Sequence, residues 1–142
     1  MKKSIIVFVA VAGLALTFGC QKQSKPQVAG GDKIKGMEKI HFDFDKSDIK
    51  PEFKKVLDNN AKYLKEHEKT NATIEGHCDE RGTEEYNIAL GHRRAGSARD
   101  YIVSLGVDGK RLKTKSLGEE QALETCHNES CWWKNRRAEF TK

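Results

Sequence analysis

Apolar residues recur along this chain with two different periods. From Ile40 to Phe44 apolar and polar residues alternate, which predicts a strand with Ile40, Phe42 and Phe44 on its core face. Pro51 suits a first helical position, and Phe53, Val56, Leu57, Ala61 and Leu64 follow at helical spacing, with Lys54, Lys55, Lys62 and Lys65 on the other side. A helix is therefore expected from Pro51 to Asn71, although Asn60 interrupts its apolar stripe. Ala72–His77 alternates again and reads as a second strand. Thr83 is a candidate cap for a second helix. In that helix Ile88, Gly91, Ala95, Ala98, Ile102 and Leu105 step by three and four, and it closes near Gly106. The small residues in that stripe imply a close approach to a sheet. Lys113–Leu117 and Arg136–Phe140 supply two further strands. The order β-α-β-α-β-β predicts an α+β fold, two helices packed on a small mixed sheet.

Ahead of this lies a segment of different character. Lys2 and Lys3 precede an apolar run from Ile5 to Phe18, and Gly19-Cys20 follow. A basic start, a short apolar run and a small residue before a cut form a secretory signal pattern. Fourteen residues fall short of the about 20 needed to span a bilayer, which weighs against an uncleaved anchor. Gly19-Cys20 resembles a bacterial lipobox. That resemblance implies acylation of Cys20, cleavage before it, and several acyl chains that hold firmly where one would bind marginally. By the same resemblance, Gln21 after Cys20, in place of Asp, implies the outer membrane, facing the periplasm. Gln21 to about Lys35 is polar, contains Pro26 and Gly30-Gly31, and shows no periodicity, as expected of a flexible tether. The organisation expected is a signal peptide over 1–19, a lipid-anchored linker over 20–38 and a folded domain over 39–142.

Charge narrows the function classes. The 142 residues carry 26 Lys and Arg against 21 Asp and Glu. Setting aside Lys2 and Lys3 leaves 24 against 21, nearly balanced. Nucleic-acid binding is not expected of such a surface, even with Trp132 and Trp133 beside Lys134, Arg136 and Arg137. The two tryptophans read either as a lid over the last strand or as a contact for a protein partner.

Asp79 closes the second predicted strand, and Asn87, Leu90 and Arg94 share one face of the second helix. An acid and a guanidinium across one cleft can grip a zwitterion, Asp79 taking an ammonium and Arg94 a carboxylate by a two-pronged bond. A plain Asp79–Arg94 surface ion pair is the competing reading from spacing alone.

Four stretches carry a resemblance: Phe42-Asp43-Phe44-Asp45-Lys46, Glu75-Gly76-His77-Cys78-Asp79-Glu80-Arg81-Gly82-Thr83, Tyr86 through Ala95, and Asn135-Arg136-Arg137-Ala138-Glu139. In this order they resemble the OmpA-like C-terminal domain family, and their pairing with a lipobox resembles its peptidoglycan-associated lipoproteins. The resemblance implies non-covalent binding of peptidoglycan through the meso-diaminopimelate of its stem peptide, tethering outer membrane to cell wall. It implies partners among the periplasmic and inner-membrane proteins of a Tol–Pal-type system, which supports envelope integrity and cell division. It also implies that Asp79 and Arg94 hold the diaminopimelate, with Phe44, Asp45, Asn87 and Leu90 lining the same cleft. Arg136 and Arg137 match a motif near the pocket and equally suit a structural role. No enzyme activity, cofactor or metal is expected. The alternatives are another OmpA-like envelope lipoprotein outside the Tol system, or a periplasmic thiol or hydrolytic enzyme using Cys78 and His77.

The remaining cysteines follow from export, which favours disulfides. Cys126 and Cys131 flank a short polar stretch and are expected to bond to each other. Zinc is the alternative, but Cys126, His127 and Cys131 offer at most three of four ligands. Strand alternation sends Cys78 into the core as a small hydrophobe, with His77 and Asp79 pointing out.

Overall fold

A computed structural model of the protein describes residues 30–142. The signal segment, Cys20 and the first part of the tether lie outside the described residues. The elements are β1 (Ile40–His41), α1 (Pro51–Glu66), β2 (Ala72–His77), α2 (Glu84–Ser104), a 3-10 turn (Gly109–Arg111), β3 (Leu112–Gly118), α3 (Glu129–Asn135) and β4 (Arg137–Thr141). The sheet order is β1-β4-β2-β3. β4, last in sequence, runs antiparallel to both β1 and β2, while β2 and β3 are parallel across the α2 crossover. This is the mixed α+β sheet expected, with one helix more than the apolar periodicity predicts. α3 is too short and polar to show a stripe; Asn128 starts it by accepting from the Ser130 backbone N–H.

One apolar core lies between the two long helices and the sheet. Ile40, Leu57, Leu64, Ile74 and Ile102 have no exposed surface, and each such side chain contributes about 1.5–3 kcal/mol by leaving water. The small residues of α2 do what their size implies. A Cβ on Gly76 would fall 2.7 Å from the carbonyl carbon of Gly91, and one on Gly91 would fall 2.8 Å from the Gly76 carbonyl oxygen. Backbone of α2 thus rests directly on backbone of β2. Asn60, out of place in the α1 stripe, reads the backbone of a neighbouring segment: its Oδ1 accepts from the Glu38 N–H (3.0 Å) and its Nδ2 donates to the Glu38 carbonyl (2.8 Å).

Several expectations need correction. α1 stops at Glu66, short of Asn71; Arg111 donates to the Leu64 carbonyl in its last turn (2.8 Å) and to the His67 (2.9 Å) and Thr70 (2.7 Å) carbonyls of the segment that follows. Phe44 is not on a core face. The chain turns at Asp45, whose φ of 56° lies in the left-handed region that Asp tolerates, and Phe44 is left 54% exposed. Within the stretch to residue 38 assigned to the linker, residues 31–34 run against β4: Ile34 is buried and donates to the Phe140 carbonyl (3.0 Å), and Lys142 donates to the Asp32 carbonyl (2.9 Å).

That segment also changes the far side of the sheet. His77 points away from the helices, as alternation requires, but that face is covered. The Gly31 N–H donates to Glu75 (3.0 Å) and Arg137 to the Gln121 carbonyl (3.1 Å). His77 is buried, and neither ring nitrogen has a hydrogen-bond partner among the described residues. Arg137 pairs with Glu139 on this same face (2.7 Å), away from the cleft described next.

Candidate functional site

Where β2 ends, the chain turns sharply into α2. Asp79 begins the turn by accepting the Arg81 backbone N–H on Oδ1 (3.1 Å), the local hydrogen bond that makes Asp a turn former. Gly82 continues it with a φ of 114°, a conformation that suits glycine alone. Thr83 then caps α2 through the Tyr86 N–H (3.2 Å). These steps set the end of β2 and the first turns of α2 around a cleft of about 170 Å³.

All six cleft residues named from the sequence lie around it: Asp79 on the turn, Asn87, Leu90 and Arg94 on α2, Phe44 and Asp45 on the loop after β1. Arg81, Gly82, Tyr86 and Cys78 complete the lining. Cys78 does face the helix side, as alternation predicts, but there it meets the cleft floor. Its thiol donates to the Asn87 carbonyl (3.3 Å), and burial pushes its pKa up to about 11. It makes no bond to His77, so the geometry of an activated thiol is not present.

Asp79 and Arg94 are neighbours but not partners. Asp79 is 3% exposed and is gripped by two other guanidiniums. Arg81 donates from Nε to Oδ1 (3.1 Å) and from Nη2 to Oδ2 (2.6 Å), and Arg136 donates from Nη1 to Oδ2 (3.1 Å). Burial opposes ionisation of Asp79, but the hydrogen bonds from Arg81 and Arg136 outweigh it and hold its pKa below the usual carboxylate value. Arg136 also donates to the Phe42 carbonyl (2.9 Å) and pairs with Glu129.

Arg94 is fully buried. Its Nε donates to the Lys46 carbonyl (2.9 Å), Nη1 to the His77 carbonyl (2.8 Å) and to Cys78 Sγ (3.4 Å), and Nη2 to the Asp43 carbonyl (3.1 Å). These bonds tie the loop after β1 to the end of β2. They also correct the two-pronged grip expected of Arg94. Four of its five N–H directions are spent on the protein, leaving one at Nη2.

The residues that sequence reasoning missed are Arg81, Tyr86 and Trp132. The Arg81 guanidinium lies between the Phe44 ring (3.8 Å) and the Trp132 ring (4.0 Å). Trp132 donates from Nε1 to Glu80 (2.8 Å), and the Tyr86 hydroxyl hydrogen-bonds Asp45 at the rim. Only the Asp79-x-Arg81-Gly82 turn gave a local signal for any of these. Trp133 instead lines a separate, larger groove of about 680 Å³ with His41, Phe53 and Phe140, rimmed by Lys33 and Glu139, which pair with each other (3.5 Å). Cys126 and Cys131 are disulfide-bonded, with Cα atoms 5.7 Å apart, and Cys78 is a buried free thiol.

Comparison with known proteins sets the chain within a wider group. Residues 41–136 match the model of the OmpA family. A peptidoglycan-associated lipoprotein of Rhizobium meliloti (strain 1021) is 48% identical over 130 residues, covering 89% of this chain and 70% of that protein. One from Haemophilus influenzae is 39% identical over 144 residues, covering 96% of this chain and 94% of its own. The crystal structure of the peptidoglycan-associated lipoprotein from Burkholderia pseudomallei superposes with a TM-score of 0.71 at 39% identity, over 72% of this chain and 87% of that one.

Proposed function

The chain belongs to the OmpA family, and from that premise we propose that its cleft binds peptidoglycan through the meso-diaminopimelate of the stem peptide. The observation that carries this reading is Asp79, a buried carboxylate kept ionised at the floor of an open cleft. A buried anion attracts a cation strongly, and the free end of diaminopimelate bears an ammonium. Its carboxylate then faces the remaining Nη2 N–H of Arg94, a charge fixed in place by its bonds to three backbone carbonyls. Phe44 and Leu90 offer apolar surface to the methylene chain between the two charged ends. Asn87, whose Nδ2 donates to the Asp79 carbonyl (3.3 Å) and to Glu119 (2.5 Å), holds the wall on which Leu90 sits.

The role is one of binding rather than catalysis. With Cys20 acylated, the domain is held at the outer membrane facing the periplasm, and the cleft ties that membrane to the wall. Partners among Tol-system proteins follow from the same family reading. The names of the relatives from Rhizobium meliloti and Haemophilus influenzae support an envelope lipoprotein.

A pull-down on purified sacculi tests the reading. Asp79→Asn, which keeps the side chain's shape and removes its charge, is expected to bind at least about tenfold more weakly, in line with the worth of a charge-assisted hydrogen bond. Unchanged binding by a variant with a native circular dichroism spectrum would remove Asp79 from the site.

A further inference from the structure

The two guanidiniums on Asp79 are held very differently. Arg136 has a side chain only 5% exposed and is anchored elsewhere, on the Phe42 carbonyl and on Glu129. Arg81 projects from the turn with 31% of its side chain exposed, yet it covers both carboxylate oxygens. Each oxygen of Asp79 has two donors: the Arg81 N–H and Nε on Oδ1, Arg81 Nη2 and Arg136 Nη1 on Oδ2. These fill the four acceptor directions of a carboxylate, and an incoming ammonium has none left. The Arg81 guanidinium is also sandwiched between Phe44 and Trp132 at 3.8 and 4.0 Å, a cation held between two aromatic faces beside the cleft.

We infer that Arg81 is a displaceable internal cation that occupies the ligand's ammonium position in the free domain, so that only a ligand bringing its own cation opens the cleft. This rests on the proposal that Asp79 takes the ammonium of diaminopimelate, and it adds the origin of selectivity. The exchange conserves charge at Asp79: one cation leaves as another arrives, and Arg136 stays. A new partner for Arg81 is close, since Glu129 Oε2 lies 3.9 Å from its Nη2. A ligand with carboxylates but no free ammonium has nothing to offer Asp79, and the Arg81–Asp79 pair stays shut against it.

The test uses the full chain and two stem peptides of equal length, one carrying meso-diaminopimelate and one carrying 2-aminopimelate, which lacks the free ammonium. Arg81→Met keeps the apolar stem and removes the guanidinium. It is expected to bind the diaminopimelate peptide at least fivefold more tightly than the unsubstituted protein, with the gain in the association rate. The unsubstituted protein should discriminate strongly against the aminopimelate peptide. A second readout needs no change at Arg81. In a Trp133→Phe background, Trp132 fluorescence should shift when the diaminopimelate peptide binds, because the guanidinium leaves its ring. Equal or weaker binding by Arg81→Met, or unmoved Trp132 fluorescence at saturation, overturns the inference, weaker binding meaning that Arg81 grips the ligand. Asp79→Asn separates the two proposals. If it binds as tightly as the unsubstituted protein, the ammonium reading and this inference fail together. If it loses binding while Arg81→Met gains none, only the inference about Arg81 fails.

Discussion

Arg94 donates from Nη1 to the carbonyl of His77 at 2.8 Å, joining the middle of α2 to the last residue of β2. The same guanidinium reaches the Asp43 and Lys46 carbonyls, so one buried side chain supports both walls of the cleft. Arg94→Met is therefore expected to destabilise the fold as well as weaken binding. Leaving three carbonyls without a donor should cost on the order of 3 kcal/mol. Urea unfolding should show a markedly lower midpoint, and Arg94→Lys should not restore it, because an ammonium lacks the planar fork that reaches all three. A midpoint unchanged in Arg94→Met would remove Arg94 from this supporting role.

The contact between Gly76 and Gly91 predicts a sharp contrast between two identical substitutions. Gly76→Ala must push α2 off β2 and should cost at least about 1–3 kcal/mol, as overpacking does. Gly96→Ala meets nothing within 4 Å and removes a flexible residue from the interior of a helix, so it should stabilise by about 0.5–1 kcal/mol. Thermal melts of the two variants should move in opposite directions.

His77 predicts a dependence on pH. Burial, reinforced by the charge of Arg137 and opposed by that of Glu139, lowers its pKa from 6.5 to about 3. The unfolded chain therefore takes up a proton that the folded one refuses. Stability from this group is complete above pH 6.5 and declines as pH falls toward 3, by up to on the order of 4 kcal/mol. His41, lowered to about 4 chiefly by burial, contributes with the same sign. Comparing urea midpoints at pH 7 and pH 4.5, His77→Leu should lose less stability across the interval than the unsubstituted protein. Equal losses would contradict a neutral, buried His77.

Thiol labelling distinguishes the cysteines. Among Cys78, Cys126 and Cys131, native protein should show no reactive thiol, since two are paired and the third is buried with a raised pKa. After unfolding without reductant, one label is expected, at Cys78. Labels on all three would show that Cys126 and Cys131 are not bonded.

Elements with a local cause were legible in the order of the residues alone. Period-two and period-3.6 patterns located β2 and the start of both long helices, Thr83 marked the cap of α2, and the small residues of α2 announced a close backbone contact. Four of the cleft positions, Asp79, Asn87, Leu90 and Arg94, were legible because a strand end and three residues on one helix face lie close in sequence; Phe44 and Asp45, about 35 residues earlier, followed only from the family resemblance. Who bonds to whom was set by the assembly of the sheet. Asp79 and Arg94 look like a pair in sequence, yet Asp79 is held by Arg81 and by Arg136, 57 residues away, while Arg94 spends its donors on carbonyls as far back as Asp43, 51 residues earlier. Asn60 looks misplaced until Glu38 is beside it, and residues 31–34 look like linker until β4 is there to receive them. The common reason is the sheet order. β4, made last, is inserted between β1 and β2, and it brings Arg136 beneath the turn and leaves its outer face to be covered by the segment before β1. No periodicity encodes such partners, because these hydrogen bonds join residues far apart in sequence that only the assembled sheet brings together.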